Sequence, residues 1–224
     1  MEGQLDLLPP EADAEPRPPR RIERPGLRLR LWTGWLADEA AVMERLQREV
    51  PWRQEEVTLF GRRQPMPRLT CWMAEPGCSY TYSGLRQRIQ PWSPTVAALK
   101  RDVEEAVGCR FNSLLLNLYR DGHDAMGWHA DDEGELASDR PIASLSLGAA
   151  RTFRLRPRPG KGAEPPPHPG EAPTTEPLAF ELGHGDLLVM DPPTQRHWQH
   201  QVPRRLRVGL PRINLTFRVV RQHL

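Results

Sequence analysis

Lysine is almost missing from this chain: it occurs at positions 100 and 161 only, although Lys and Arg together number 31. Basic character therefore rests on arginine. That suits phosphate recognition and equally a GC-rich coding bias, so a bacterial cytosol is the expected, cytoplasmic location. Cysteine is scarce as well. Cys71, Cys78 and Cys109 are odd in number and form no C-x-x-C, which argues against a disulfide scaffold and a zinc ribbon. No apolar run approaches the roughly 18 residues that a membrane-spanning helix needs, so no membrane partner is expected. The opening MEGQLDLLPPEADAEPRPPRRIERPG (1–26) lacks the hydrophobic core of a signal peptide. The net charge of +2 is too small for composition alone to announce a nucleic-acid binder. Internal repeats are lacking too.

What remains is a chain of 224 residues, enough for one ordinary domain with a substantial core. Proline and charge dominate residues 1–26, which read as a disordered arm preceding a domain over 27–224. A second such stretch, PRPGKGAEPPPHPGEAPTTEP (157–177), reads as a solvated loop inserted between two strands. Two helices are predicted. One runs from about Ala37 to Glu49, with Leu36, Ala40, Met43, Leu46 and Val50 on one face. The other runs from Pro94 to Val107, with Ser93 as cap, Val96, Leu99, Val103 and Val107 as the stripe, and Gly108 beyond the end. Strands are predicted at 112–119, 141–148, 150–156, 177–182, 186–191 and 212–220, with Gly183-His184-Gly185 as a turn. Helices followed by short, closely spaced strands indicate an α+β chain whose strands form a sandwich or jelly roll.

The chemistry-bearing stretch is GWHADDEGE (127–135). In an extended segment residues i and i+2 share a side, so His129 and Asp131 present an imidazole and a carboxylate together. Two histidines and one carboxylate on one face of an octahedral metal leave three positions open, as in non-haem Fe(II) oxygenases. The second histidine must come from His168, His184, His197 or His200. His197 and His200, in TQRHWQHQVP, directly follow a predicted strand, and geometry alone does not choose between them. In RINLTFRVV, Arg212, Asn214, Thr216 and Arg218 share one face. Solvent exposure would explain that pattern too. Six residues of strand span roughly 20 Å, so the two arginines could grip a dicarboxylate from either end. Asn117 and Tyr119 share a face of NSLLLNLY and offer an amide and a phenol to the same ligand.

The runs FNSLLLNLYRDGHDAMGWHADDE, PIASLSLGAARTFRLR, HGDLLVMDPPTQRHWQHQVP and PRINLTFR resemble the AlkB family of Fe(II)- and 2-oxoglutarate-dependent dealkylating dioxygenases. The resemblance spans about Phe60 to Val219 and is nearest to the second and third human homologues and their bacterial relatives. It implies a double-stranded β-helix (jelly-roll) core, with the N-terminal helices packed on it and a nucleotide-recognition hairpin or lid at about 55–90. It implies Fe(II) on His129, Asp131 and His200, the histidine before QVP being the family ligand. It also implies 2-oxoglutarate on Asn117, Tyr119, Arg212 and Arg218, with O2 as the oxidant. Tyr80, Tyr82 and Ser83 in SYTYSG resemble lesion-pocket residues. Asp132 and Glu133 lie where carboxylates would favour a cationic methylated base. Phe60, Arg62, Arg63 and Arg68 resemble a hairpin with an aromatic finger and phosphate-holding arginines. The expected activity is demethylation of 1-methyladenine and 3-methylcytosine in single- or double-stranded DNA, with RNA as a further partner, formaldehyde as a product and a monomer as the acting unit. The rivals are a same-fold dioxygenase acting on RNA or a protein side chain, and a silent damage-binding protein.

Overall fold

The computed structural model describes residues 18–59, 62–78, 81–82, 85–86, 88–158 and 176–221. The first half of the chain forms β1 (Arg20–Arg24), β2 (Leu27–Trp32), α1 (Glu39–Glu49), β3 (Glu56–Leu59), β4 (Arg62–Pro65), β5 (Leu69–Ala74), β6 (Thr81–Tyr82), β7 (Leu85–Arg86), β8 (Ile89–Gln90) and α2 (Pro94–Val107). The second half forms β9 (Ser113–Tyr119), β10 (Met126–His129), β11 (Ile142–Gly148), β12 (Arg151–Pro157), β13 (Leu178–Leu182), β14 (Leu187–Asp191), the short α3 (Thr194–His197), β15 (Trp198–Val202) and β16 (Arg212–Arg218).

These strands build two facing sheets. The larger has the order β1-β2-β14-β11-β16-β9-β5-β8 and the smaller β10-β15-β12-β13, while β3-β4 and β6-β7 are separate hairpins. One apolar cluster joins the sheets, drawing Leu29, Leu31 and Leu188 from the larger and Phe153, Leu155 and Trp198 from the smaller. A second cluster lies on the outer face of the larger sheet, where Val42 and Leu46 of α1 and Val96, Leu99 and Val103 of α2 meet Leu114, Leu116, Leu215 and Phe217. The helices therefore cover one face of a jelly roll, as the sequence predicted. Each fully buried Leu or Phe there contributes roughly 1.5–3 kcal/mol.

Local chemistry explains the element ends. The Ser93 hydroxyl accepts from the Val96 N–H at 3.3 Å, Pro94 fills the first helical position, and Gly108 closes α2 with φ 73°. The observed helix coincides with the predicted one, while α1 starts two residues later than predicted, at Glu39. The predicted β9, β11, β12, β13, β14 and β16 agree to within two residues at each end.

Residues 20–24 overturn part of the expected disordered arm. They pair with β2 from Arg20↔Leu31 to Arg24↔Leu27, because Leu27, Leu29 and Leu31 are buried and give that hairpin an anchored partner. The alternating LRLRL pattern was the available signal. Short β10 and β15 also escaped prediction. The proline-rich insert joins β12 to β13, which pair antiparallel; residues 159–175 of it lie outside the described residues. No described helix is long and apolar enough to cross a membrane.

Behind β9 the chain turns at Gly122, whose N–H donates to Val208 O at 2.7 Å and whose carbonyl accepts from the Arg205 N–H at 2.8 Å. A Cβ at Gly122 would run into the Arg205 carbonyl. Gly122→Ala should destabilise the protein by roughly 1–3 kcal/mol, lowering the thermal midpoint by about 2–4 °C per kcal/mol. An unchanged melting curve would contradict this close approach.

Candidate active site

Strand β16 carries the division between core and site. Its apolar residues Ile213, Leu215 and Phe217 face the helices, and alternation sends Arg212, Asn214, Thr216 and Arg218 to the other face. All four are buried, so simple solvent exposure does not explain them. Polar partners come from the neighbouring β11. Arg212 Nη2 donates to Ser146 Oγ at 2.8 Å, and Asn214 Nδ2 donates to Ser144 Oγ at 2.8 Å. On the other side β9 places Asn117 opposite Asn214 and Tyr119 opposite Arg212.

The two histidines meet through strand register. His129 on β10 and His200 on β15 are Cα partners across an antiparallel pair, and their ring centroids lie 4.1 Å apart. His197 is not part of the cluster, since its ring packs against Gly26. His184 Nδ1 accepts from the Gly148 N–H at 2.7 Å, and His168 lies outside the described residues. Asp131 completes the group: one ligand atom from each of His129, Asp131 and His200 lies within 4.8 Å of the others. His129 Nδ1 sits 2.9 Å from the Gly127 carbonyl, a bond that requires the proton on Nδ1 and leaves Nε2 as the lone-pair donor. His200 is flanked by Phe153, with centroids 5.3 Å apart.

Electrostatics match a cation site. Burial pushes the Asp131 carboxyl up, but the group is held below its ordinary range, with the Arg218 guanidinium the largest opposing influence. Arg218 Nη2 donates to Asp131 Oδ1 at 2.8 Å. Burial pushes His129 down, only partly offset by Asp131. Burial, reinforced by neighbouring His129, pushes His200 to about 3. The cluster is thus one carboxylate with two neutral imidazoles, the protonation that a divalent metal requires. Asp131 Oδ2 is buried with no hydrogen-bond partner among the described residues, an orphaned oxygen whose lone pairs suit a metal ion. The donor set fits Fe(II).

Two residues that the sequence reading missed hold this site. The Asp131 N–H donates to Gln195 Oε1 at 2.9 Å, so α3 positions the carboxylate. Arg151, 1% exposed, lies with its guanidinium 5.5 Å from the Tyr119 ring. Neither carries a motif, because both act across long sequence separations. Beside Asp131 and Arg218 lies a cavity of about 260 Å³, walled also by Glu133, Leu136, Ile142 and Met190.

The substrate-side residues divide. Arg62 and Arg63 are exposed on the β3–β4 hairpin, and Arg63 pairs with Glu56 at 3.3 Å. Arg68 is different: it is buried, and its Nε donates to Asn117 Oδ1 at 2.8 Å. An expected phosphate-holding role on the hairpin surface does not suit it, since the amide of Asn117 draws it inward. Asp132 is exposed and ion-paired with Arg158, whereas Glu133 is half-buried and lines the cavity. Phe60, Tyr80 and Ser83 lie outside the described residues, and Tyr82 is described only through its backbone in β6.

With this geometry in place, similarity identifies the class. Residues 28–218 match the model of the 2OG-Fe(II) oxygenase superfamily, and the chain belongs to it. Mouse alpha-ketoglutarate-dependent dioxygenase alkB homolog 3 is 41% identical over 216 residues, covering 90% of this chain and 73% of that protein. Mouse DNA oxidative demethylase ALKBH2 is 40% identical over 187 residues, covering 82% and 76%. The solved structure of OsALKBH1 shares the fold, with a TM-score of 0.53 and 18% identity over 88% of this chain and 98% of that one. Within the superfamily the protein is an AlkB-family dioxygenase, dependent on Fe(II), 2-oxoglutarate and O2.

The metal-free His200 imidazole should stay neutral from pH 8 down to pH 5. A histidine whose folded pKa is depressed from 6.5 to about 3 costs stability as pH falls between those values, because the unfolded chain takes up the proton first. Imidazole NMR shifts of the apo-protein check this; a His200 titration centred near 6.5 would contradict the burial argument.

Proposed function

We propose that the protein reverses alkylation damage, removing N-methyl groups oxidatively from 1-methyladenine and 3-methylcytosine in DNA. In this reading His129, Asp131 and His200 hold Fe(II). Arg212, Asn117, Tyr119 and Arg218 hold 2-oxoglutarate. Arg212 takes the carboxylate remote from the metal, and Arg218, tied to Asp131, serves the end beside it. Fe(II) with 2-oxoglutarate and O2 supplies the oxidation of the N-methyl group, giving succinate, carbon dioxide, formaldehyde and the unmethylated base.

The observation that carries the reading is the His129–Asp131–His200 cluster, with Asp131 and His200 buried and His129 half-buried, in the protonation state that a metal requires, beside two buried arginines. Support for a nucleic-acid substrate comes from relatives named as DNA oxidative demethylases and from the exposed arginines on the β3–β4 hairpin. Phosphate contacts of that kind position a strand without reading its sequence. A damaged base must leave its stack to reach such a site. Glu133 at the cavity edge provides the carboxylate that favours a cationic methylated base. Asp132 contributes less, since its charge is already balanced by Arg158.

The test uses iron-loaded protein with DNA oligonucleotides carrying one 3-methylcytosine, single- and double-stranded, beside the matching RNA and a methylated peptide. DNA demethylation with formaldehyde release, abolished without 2-oxoglutarate, is expected. Faster turnover of RNA or peptide would overturn the DNA assignment.

A ligand swap checks the metal assignment. His200→Ala should lose stoichiometric Fe(II) binding and at least about 100-fold in turnover, whereas His197→Ala should bind iron normally. Metal content by mass spectrometry decides, and the reverse pattern would refute the assignment.

A further inference from the structure

Among the described residues Arg212 is a buried cation with no carboxylate at ion-pair distance, and it has a companion on this side of the core. Arg151, the first residue of β12, is also buried, and among the described residues its guanidinium donates to backbone carbonyls alone. These are Asp121 O at 3.1 Å, Asp124 O at 2.8 Å and Pro203 O at 2.7 Å. Carbonyls satisfy hydrogen bonds but leave the positive charge in place. Among the described residues neither Arg151 nor Arg212 forms an ion pair with a carboxylate, and the Nε atom of each is buried without a hydrogen-bond partner.

Both cations lie against one ring. Arg212, the register partner of Tyr119, approaches it from the larger sheet, with Cζ 5.3 Å from the ring centroid. Arg151 approaches from the smaller sheet, at 5.5 Å. Two guanidiniums sharing a buried aromatic neighbour repel each other in a medium of low polarity. The three carbonyls come from the segment after β9 and from the end of β15, so separate parts of the chain fix where Arg151 sits. Asp124 and Asp121 act on Arg151 from beyond ion-pair distance, but burial outweighs them, and a cation held in this way complements an anion that arrives from outside.

We propose that Arg151 is a second cation for the distal carboxylate of 2-oxoglutarate, a positioning residue that acts through Tyr119 and through its field. The proposal rests on the assignment of Arg212 given above. The phenol ring is held between the sheets by the two guanidiniums, and their joint potential selects a 2-oxo acid carrying a second negative charge.

The test is calorimetric binding to the anaerobic Fe(II) protein, with 2-oxoglutarate and with 2-oxobutyrate, which keeps the 2-oxo acid but has no distal carboxylate. The variants are Arg151→Lys, Arg151→Gln and Arg212→Met, with circular dichroism confirming the fold of each. Arg151→Gln, which keeps donors but loses the charge, should weaken 2-oxoglutarate about 10-fold. Arg151→Lys should recover most of that, and 2-oxobutyrate affinity should be the same in wild type and both Arg151 variants. Equal weakening of the two ligands, or a lysine variant no better than glutamine, would overturn the proposal in favour of a packing role. Loss of 2-oxoglutarate in Arg212→Met but none in Arg151→Gln would overturn this inference alone. Normal binding in Arg212→Met would bring down the cosubstrate assignment itself.

Discussion

The site depends on one buried ion pair, Arg218 with Asp131, made at 2.8 Å with both side chains almost wholly out of water. Removing two charges from solvent costs several kcal/mol per ion, recovered only when the geometry is good and the remaining polar atoms are satisfied. The geometry is secured from both sides. Arg218 ends β16, which runs between β11 and β9 in the middle of the larger sheet. The Asp131 backbone is tied to Gln195 of α3. Because Arg218 keeps the carboxylate ionised, both Asp131 oxygens remain strong electron-pair donors, Oδ1 lying 3.8 Å from His129 Nε2 and Oδ2 3.9 Å from His200 Nε2. Without that pair, burial would favour a protonated acid and the cluster would lose its affinity for a cation.

The same logic extends along β16 and β9. One face of each strand is apolar and seals the helical layer; on the other face of β16, Asn214 bonds to Thr216 and to Ser144 of β11, and Arg212 bonds to Ser146 of β11. A buried polar layer is tolerated when its members satisfy each other and when what is left over is matched by a ligand. Here the excess is cationic at Arg212 and Arg151, while Asp131, balanced in charge by Arg218, keeps one oxygen without a hydrogen-bond partner among the described residues. A metal ion and a dicarboxylate supply the missing charges. Folding and binding thus draw on one set of interactions.

Much of this was legible in the sequence where the signal is local. The second helix carried its own cap, proline and terminal glycine. The period-two alternation of RINLTFR showed which residues share a face, though not that both faces are buried. The histidine pair was only half visible: spacing left His197 and His200 open, the family resemblance favoured His200, and the register of β10 against β15 brings His200 beside His129. Hidden altogether were contacts between distant segments. Arg68 looked like a surface cation and turned inward to Asn117. Asp132 was expected to face a cationic base and is engaged by Arg158. Gln195 and Arg151 have no pattern of their own, since what they do is set by backbone groups 27 to 64 positions away. The arm at 20–24 was misread because proline and charge masked an edge strand whose only buried partner face belongs to β2.

The central claim is that Asp131, kept ionised by Arg218, joins His129 and His200 in one metal centre that also receives 2-oxoglutarate. Its most direct measurement is an anaerobic titration of the apo-protein with Fe(II) and 2-oxoglutarate, followed by the visible absorption that the two give when bound together. The absorption should saturate at one equivalent of iron in the wild type, require both ligands, and be lost in a folded Asp131→Ala variant. The same absorption in Asp131→Ala, at the same iron affinity, would contradict it.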